Sequence, residues 1–276
     1  MPLADLGSYT LYYESFGDGP PLFLVPGLGG VGAYWTPQIE ALSAHFRVHT
    51  YDHRGTGRSS RTLMEYSVGQ MAHELVALMD HLGVARADIV GHSTGGAIGQ
   101  VLAIDHPERV DRLVLYSSWT RSDPFFRRVF DVRKQLLASA GAAAYIQATP
   151  LFLFPDWYIN DKAEAFATAD SQIADFPAIE IAISRCDAVV NFDRHDDLGA
   201  IHSPTLVICA EDDFLTPMYF SEQLARAIPG SRLLRLPRGG HACSQSTPAE
   251  FNAALLDFLL QPAAGQSEVA VLAASR

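Results

Sequence analysis

What this chain lacks narrows its class before any motif is read. Its 276 residues include only three cysteines, Cys186, Cys209 and Cys243. They are too few and too widely spaced for a disulfide framework or a zinc site, which points to a reducing, cytoplasmic setting. Charged residues make up 18% of the chain and acids outnumber bases, for a net charge of -11. That balance argues against nucleic acid and anionic membrane as partners, and solubility is its simplest role. The opening MPLADLGSYT has no basic stretch and no apolar run, so no signal peptide is expected. No apolar run reads as long enough to span a membrane. There is no P-loop lysine and no G-x-G-x-x-G after a strand, so neither a nucleotide cofactor nor a phosphate cradle is expected.

What is present suffices for one large core, since 48% of the residues are hydrophobic. Tyr9 to Phe16, Leu22 to Val25, Phe46 to Tyr51, Ile89-Val90 and Arg112 to Tyr116 read as strands. Thr36 to Ala44, Met71 to Leu82 and the stretch after Gly96 read as helices between them. Continuous apolar runs suit strands covered on both faces, and short alternating elements predict a doubly wound, mostly parallel sheet. After the sixth strand the rhythm changes. Residues 121–200 have no clear strand, with helix expected over Asp123–Ala140 and between Ala163 and Val190, and many aromatics. The strand rhythm returns at Thr205–Ala210 and Arg232–Leu236, and a last helix runs from Pro248 to Leu260. The expected organisation is a core of residues 1–120 and 201–262, a helical cap of 121–200 and a weakly held tail of 263–276.

One stretch organises the chemistry. Ile89-Val90 runs into Gly91-His92-Ser93-Thr94-Gly95, and a helix follows, so a serine stands at the apex of a strand–turn–helix. Such a turn strains its apex and brings strand and helix together, which glycines on both sides permit. Ser93 is therefore the candidate nucleophile, with the Thr94 N–H at the helix start facing the same space. A serine hydroxyl needs a base, and the base needs an orienting acid. Carboxylates Glu211, Asp212 and Asp213 follow the strand Thr205–Ala210, at the end where parallel sheets bind ligands. Asp213 is the preferred acid, with Asp212 and Glu211 as alternatives. Arg238-Gly239-Gly240-His241 follows the next strand, which makes His241 the candidate base. A second oxyanion donor is expected from Gly27-Leu28-Gly29-Gly30, at the Leu28 N–H. His92 is read as packing or as a support behind the site, and Cys243 as a small apolar residue near it.

Other groupings read as structural. His49 and His53 straddle a strand end and are not expected to converge on a metal, and Asp193, His195, Asp196 and Asp197 read as a solvated face. The insertion's aromatics are mostly core. Trp119 and Trp157 are the ones expected in a substrate pocket, and one of Arg121, Arg127 or Arg128 is the candidate for a substrate carboxylate.

These residues resemble the α/β-hydrolase fold superfamily. The likeness rests on P-G-L-G-G after the first buried strand, D-H-R-G-T-G-R-S at Asp52–Ser59, G-H-S-T-G, D-F-L-T-P at Asp213–Pro217 and G-G-H at Gly239–His241. The superfamily's first oxyanion motif usually begins His-Gly; here it is Pro26-Gly27, which leaves the backbone donor intact. A closer resemblance is to the pyrimidine-utilisation hydrolases, the RutD family. It rests on Gly27–Trp35 with Pro37-Gln38, Tyr51-Asp52 with Arg54–Gly57, Pro150–Trp157, Gly239–Cys243, and Arg127-Arg128 with Val132-Arg133. The resemblance implies a cofactor-independent hydrolase acting on aminoacrylate- or carbamate-type bonds of a small molecule, working as a monomer or homodimer. A carboxylesterase or enol-lactonase of aromatic catabolism is the alternative, and a ligand-binding pseudo-hydrolase is the rival from another class.

Overall fold

The computed structural model describes residues 2–167 and 173–261. The run Leu22-Phe23-Leu24-Val25 shows how its layers arise. In a strand, successive side chains point to opposite faces. Phe23 and Val25 enter one core, with Met71, Leu75 and Ile98. Leu22 and Leu24 enter another, with Leu42, Phe251 and Leu255. A strand apolar on both faces is one covered on both faces.

The sheet has eight strands: β1 (Leu3–Asp5), β2 (Thr10–Phe16), β3 (Pro21–Val25), β4 (Arg47–Tyr51), β5 (Ala87–His92), β6 (Val110–Tyr116), β7 (Thr205–Ala210) and β8 (Arg232–Leu236). Their order is β1-β2-β4-β3-β5-β6-β7-β8. The β1–β2 and β2–β4 pairs are antiparallel and the rest are parallel. The fold is therefore the mostly parallel, doubly wound sheet that the alternation predicts. β1 has no counterpart in the sequence reading, because it is three residues long and buries only Ala4.

Helices α1 (Thr36–Ser43), α2 (Val68–His81) and α3 (Thr94–Asp105) connect the first strands. α2 begins where the Ser67 hydroxyl accepts from the Gln70 N–H at 3.1 Å, an N-cap. Between β6 and β7 the chain is helical: α4 (Pro124–Leu153), α5 (Asp156–Asp161), α6 (Ala163–Ala167) and α7 (Ile179–Val190). α8 (Met218–Ala227), α9 (Cys243–Ser246) and α10 (Pro248–Leu259) follow. The expected tail lies outside the described residues.

α4 corrects one expectation. By length and composition it is long and apolar enough to cross a membrane, which the sequence reading did not find. Gly141, with φ 79 and ψ -174, breaks it into two helices. Neither part reaches the roughly 20 residues that a span requires. The first part runs from the cap at Asp123, whose carboxylate accepts from the Phe126 N–H at 2.8 Å, and buries Phe126, Val129, Phe130 and Leu137.

Strand and helix meet backbone to backbone at the start of α3. A Cβ on Gly95 would lie 2.1 Å from the Val25 carbonyl oxygen, and one on Gly91 would lie 2.2 Å from that of Gly95. Neither neighbour is a side chain that can turn aside. Gly95→Ala is expected to cost about 4 kcal/mol or more in stability, at the exceptional end for a single substitution. Gly69→Ala in α2, where a Cβ meets only the Ser67 hydroxyl at 4.0 Å, is expected to stabilise by about 0.5 kcal/mol. Urea unfolding of the two variants checks both signs.

Candidate active site

Ser93 sits between β5 and α3 with φ 53 and ψ -114, a left-handed backbone that a side-chain-bearing residue adopts only at a cost. The turn is held on both sides. The Ser93 N–H donates to the Tyr116 carbonyl at 2.8 Å, and the Ser93 carbonyl accepts from the Ser118 hydroxyl at 2.9 Å. Thr94, fully buried, opens α3. Its N–H belongs to a first turn that has no intrahelical acceptor.

The loop after β7 separates its three acids. Glu211 and Asp212 are exposed, and the Asp212 carboxylate accepts from the Gly240 N–H at 2.8 Å. Asp213 is buried, and its two oxygens lie 3.2 and 3.1 Å from Nδ1 of His241. The Thr216 N–H and hydroxyl each donate to this carboxylate at 2.9 Å, and the same hydroxyl lies 3.1 Å from Nδ1. Thr216 thus fixes the rotation of the acid; the sequence reading carried it only as part of the D-F-L-T-P match. The His241 carbonyl is clamped as well. It accepts from the Tyr116 hydroxyl at 2.9 Å and from Nε2 of His92 at 3.0 Å.

His92 is therefore packed and bonded. Its ring lies parallel to Tyr34, with centroids 4.6 Å apart, and against Tyr116 at 4.6 Å. A carbonyl only accepts, so Nε2 carries the proton and the buried Nδ1 is bare. Burial, and then the neighbouring His241, hold this imidazole well below its ordinary range. His53 is held down in the same way by burial and then by Arg185.

One cavity of about 740 Å³ is lined by Ser93, His241, His92 and the loop Gly27–Val31. Its other wall is the helical segment, through Phe130, Arg133, Tyr145, Leu153 and Arg185. Arg185, on α7, is buried and grips the loop Gly27–Val31. Its Nη2 donates to the Leu28 carbonyl at 2.9 Å and lies 3.1 Å from Nδ1 of His53, while Nη1 donates to the Arg54 carbonyl at 3.0 Å. The Gly30 N–H closes that loop on the Gly27 carbonyl at 2.9 Å. The Leu28 N–H has no acceptor among the described residues.

None of the expected pocket residues, Trp119, Trp157, Arg121, Arg127 and Arg128, lines this cavity. Trp119 is fully buried and packs on Phe126, with centroids 4.9 Å apart, and on Phe192 at 6.0 Å. Trp157 lies under the Arg238 guanidinium at 4.8 Å. Arg121 is exposed, its backbone paired with that of Asp193 in an isolated antiparallel bridge, and Arg127 is exposed on α4. The arginines that do line it are Arg58, Arg61, Arg133 and Arg185. A signal for two of them was available. Arg133 falls on the buried stripe Phe126, Val129, Phe130, Leu137, and Arg185 on the stripe Ile181, Cys186, Val189. An arginine at an apolar helix position is a rarer event than one beside it.

The remaining groupings are structural. His49 stacks on Phe23 and bonds the Ser15 hydroxyl at 2.8 Å, apart from His53. No cluster suited to a metal occurs among the described residues. Arg194 pairs with Asp197 and Asp105 on the surface. Cys243 is buried, and burial raises its thiol pKa to about 12.

Three buried histidines set an acid limit. Burial lowers His49 to about 4, and His53 and His92 lie well below 6.5. Each contributes stability that is complete above pH 6.5 and is lost as pH falls toward its folded value. Asp88, raised to about 7 by burial, and Glu74, also raised, act in the opposite sense. Stability is expected to fall between pH 6.5 and 5. His49→Gln should reduce that slope by about 1.4 kcal/mol per pH unit, read from urea unfolding at several pH values.

Residues 20–244 match the model of the alpha/beta hydrolase fold family. A relative named "Putative carbamate hydrolase RutD" from Caulobacter sp. (strain K31) is 44% identical over 260 residues, covering 92% of this chain and 97% of that one. The protein of the same name from Azorhizobium caulinodans is 42% identical over 259 residues, covering 94% and 98%. Among solved structures, the enol-lactonase from Burkholderia xenovorans LB400 superposes with a TM-score of 0.87 at 29% identity, covering 94% of this chain and 100% of that one. The sheet order, the serine at its turn and these matches agree: the chain belongs to the alpha/beta hydrolase fold family.

Proposed function

We propose that this chain is a serine hydrolase that cleaves a carbamate- or amide-type C–N bond in a small molecule, as the name of its RutD relatives suggests, in pyrimidine degradation. The observation that carries the reading is the Asp213–His241 pair, with Nδ1 3.1 Å from a carboxylate oxygen, on a cavity that Ser93 shares. In this reading Ser93 Oγ attacks the carbonyl carbon while Nε2 of His241 takes its proton. Asp213 holds the Nδ1 proton and stabilises the imidazolium. The oxyanion is received by the N–H groups of Leu28 and Thr94. His241 returns its proton to the leaving nitrogen, the C–N bond breaks and an acyl-enzyme remains. Water then gives a proton to His241 and attacks the acyl carbon, and the acid leaves as Ser93 is reprotonated. These residues need no metal or cofactor for any step. The reading places the enzyme in the cytoplasm as a monomer or homodimer; the three free, buried cysteines support a reducing compartment.

An enol-lactonase is the second reading. It is favoured by the TM-score of 0.87 to a solved enol-lactonase and by the aromatic wall of a cavity of about 740 Å³. Turnover of aminoacrylate and carbamates against enol-lactones separates the two.

A fluorophosphonate probe is expected to label the wild type at Ser93 and not Ser93→Ala; an unlabelled wild type that still binds ligands would indicate a pseudo-hydrolase. Asp213→Asn is expected to lower kcat by about a thousandfold or more, with the fold intact, because the imidazole loses its tautomer and its counter-charge. Thr216→Val should lower kcat with little change in KM, since it frees the acid rather than the substrate. Steady-state kinetics on a short nitrophenyl ester measures both.

A further inference from the structure

Four arginines line the cavity against two acids, Asp52 and Asp175, in a chain whose net charge is -11. Three of the four are already engaged. Arg58 reaches Asp52 and Glu14 at 3.6 and 3.7 Å. Arg61 is exposed and donates to the carbonyls of Gly57 and Asp175. Arg185 is spent on the carbonyls of Leu28 and Arg54 and on His53. Arg133 differs. It is 5% exposed, its Nη2 donates to the Tyr145 hydroxyl, and its Nε–H is buried with no acceptor. It has no carboxylate partner among the described residues. Three rings hold its plane: Phe130, Tyr145 and Phe152 have centroids 5.3, 4.9 and 5.4 Å from its central carbon.

We infer that Arg133 is the specificity residue for a carboxylate carried by the substrate, so that the cavity takes short anionic acyl compounds in preference to neutral ones. A guanidinium kept flat by aromatic rings, with an unmet donor and no counter-ion, is arranged to receive a planar two-oxygen anion side-on. Ser93 and His241 line the same cavity, so a molecule anchored by its carboxylate at Arg133 presents its other end to the nucleophile. A buried cation on the apolar stripe of α4 is costly to keep unless something binds it. This subsite rests on the hydrolase reading for its place in a reaction, but not for its ligand.

The test is the ratio of kcat/KM for mono-4-nitrophenyl succinate to that for 4-nitrophenyl butyrate, esters of similar length that differ in the carboxylate. The wild type is expected to favour the anion at least tenfold. Arg133→Met should bring the ratio down to about one, chiefly through KM of the succinate ester, and Arg133→Lys should retain part of the preference. Arg127→Met, on the exposed side of the same helix, should leave the ratio unchanged. Equal losses on both esters, or a wild type with no preference, would overturn the subsite. Fluorophosphonate labelling of each variant reports an intact Ser93. If Arg133→Met does not fold, the Lys variant and calorimetric binding of succinate to the wild type still decide, and failure to bind succinate would refute the proposal. If the wild type does not label at all, the hydrolase reading fails, and calorimetric succinate binding, lost in Arg133→Met and kept in part in Arg133→Lys, continues to test the site alone.

Discussion

Backbone against backbone, without an intervening side chain, is the constraint from which this site follows. Val25 ends β3 directly beneath the first turn of α3, so close that Gly95 has no room for a Cβ. That proximity forces the chain over a sharp crest between β5 and α3, and the crest residue is Ser93. It also sets the loop that begins at Pro26, the proposed oxyanion loop, beside the N-terminus of the same helix. The proposed nucleophile and both proposed donors are thus placed by one steric fact. The positive φ at Ser93 is a small local cost carried by a turn hydrogen-bonded at both the Ser93 N–H and its carbonyl.

Around that crest the imidazole is held by its main chain as much as by its ring. Tyr116 anchors both partners, since its carbonyl takes the Ser93 N–H and its hydroxyl donates to the His241 carbonyl. His92 adds the second clamp from within a stack of tyrosines. A neutral ring suits this post, because a charged one would face His241 in a desolvated layer. The acid is oriented separately, by Thr216.

Much of this was legible in the sequence. The strands apolar on both faces, the glycine-flanked serine and the acid and histidine after successive strands all follow from periodicity and turn chemistry, which are local. β1 was not legible, because three residues carry no period. The break at Gly141 was half legible: the helix was expected to end at Ala140, but its resumption was not expected. The pocket residues were misplaced for a physical reason. Trp119, Trp157, Arg121 and Arg127 were chosen by residue type and neighbourhood, whereas lining a cavity depends on which side of a helix faces the sheet. Reading Arg133 and Arg185 against the apolar stripes of their own helices would have separated them from Arg127, two turns of logic that composition alone does not supply.

Arg185 ties two parts of the molecule that a substrate must pass between. Its stem is rooted in the helical roof, and its fork is fastened to the peptide beside Leu28. Lifting that roof would strip the loop of its brace and bare a guanidinium whose surroundings are built to be dry. Any opening of that roof therefore has to break the bonds from one buried guanidinium to the carbonyls of Leu28 and Arg54.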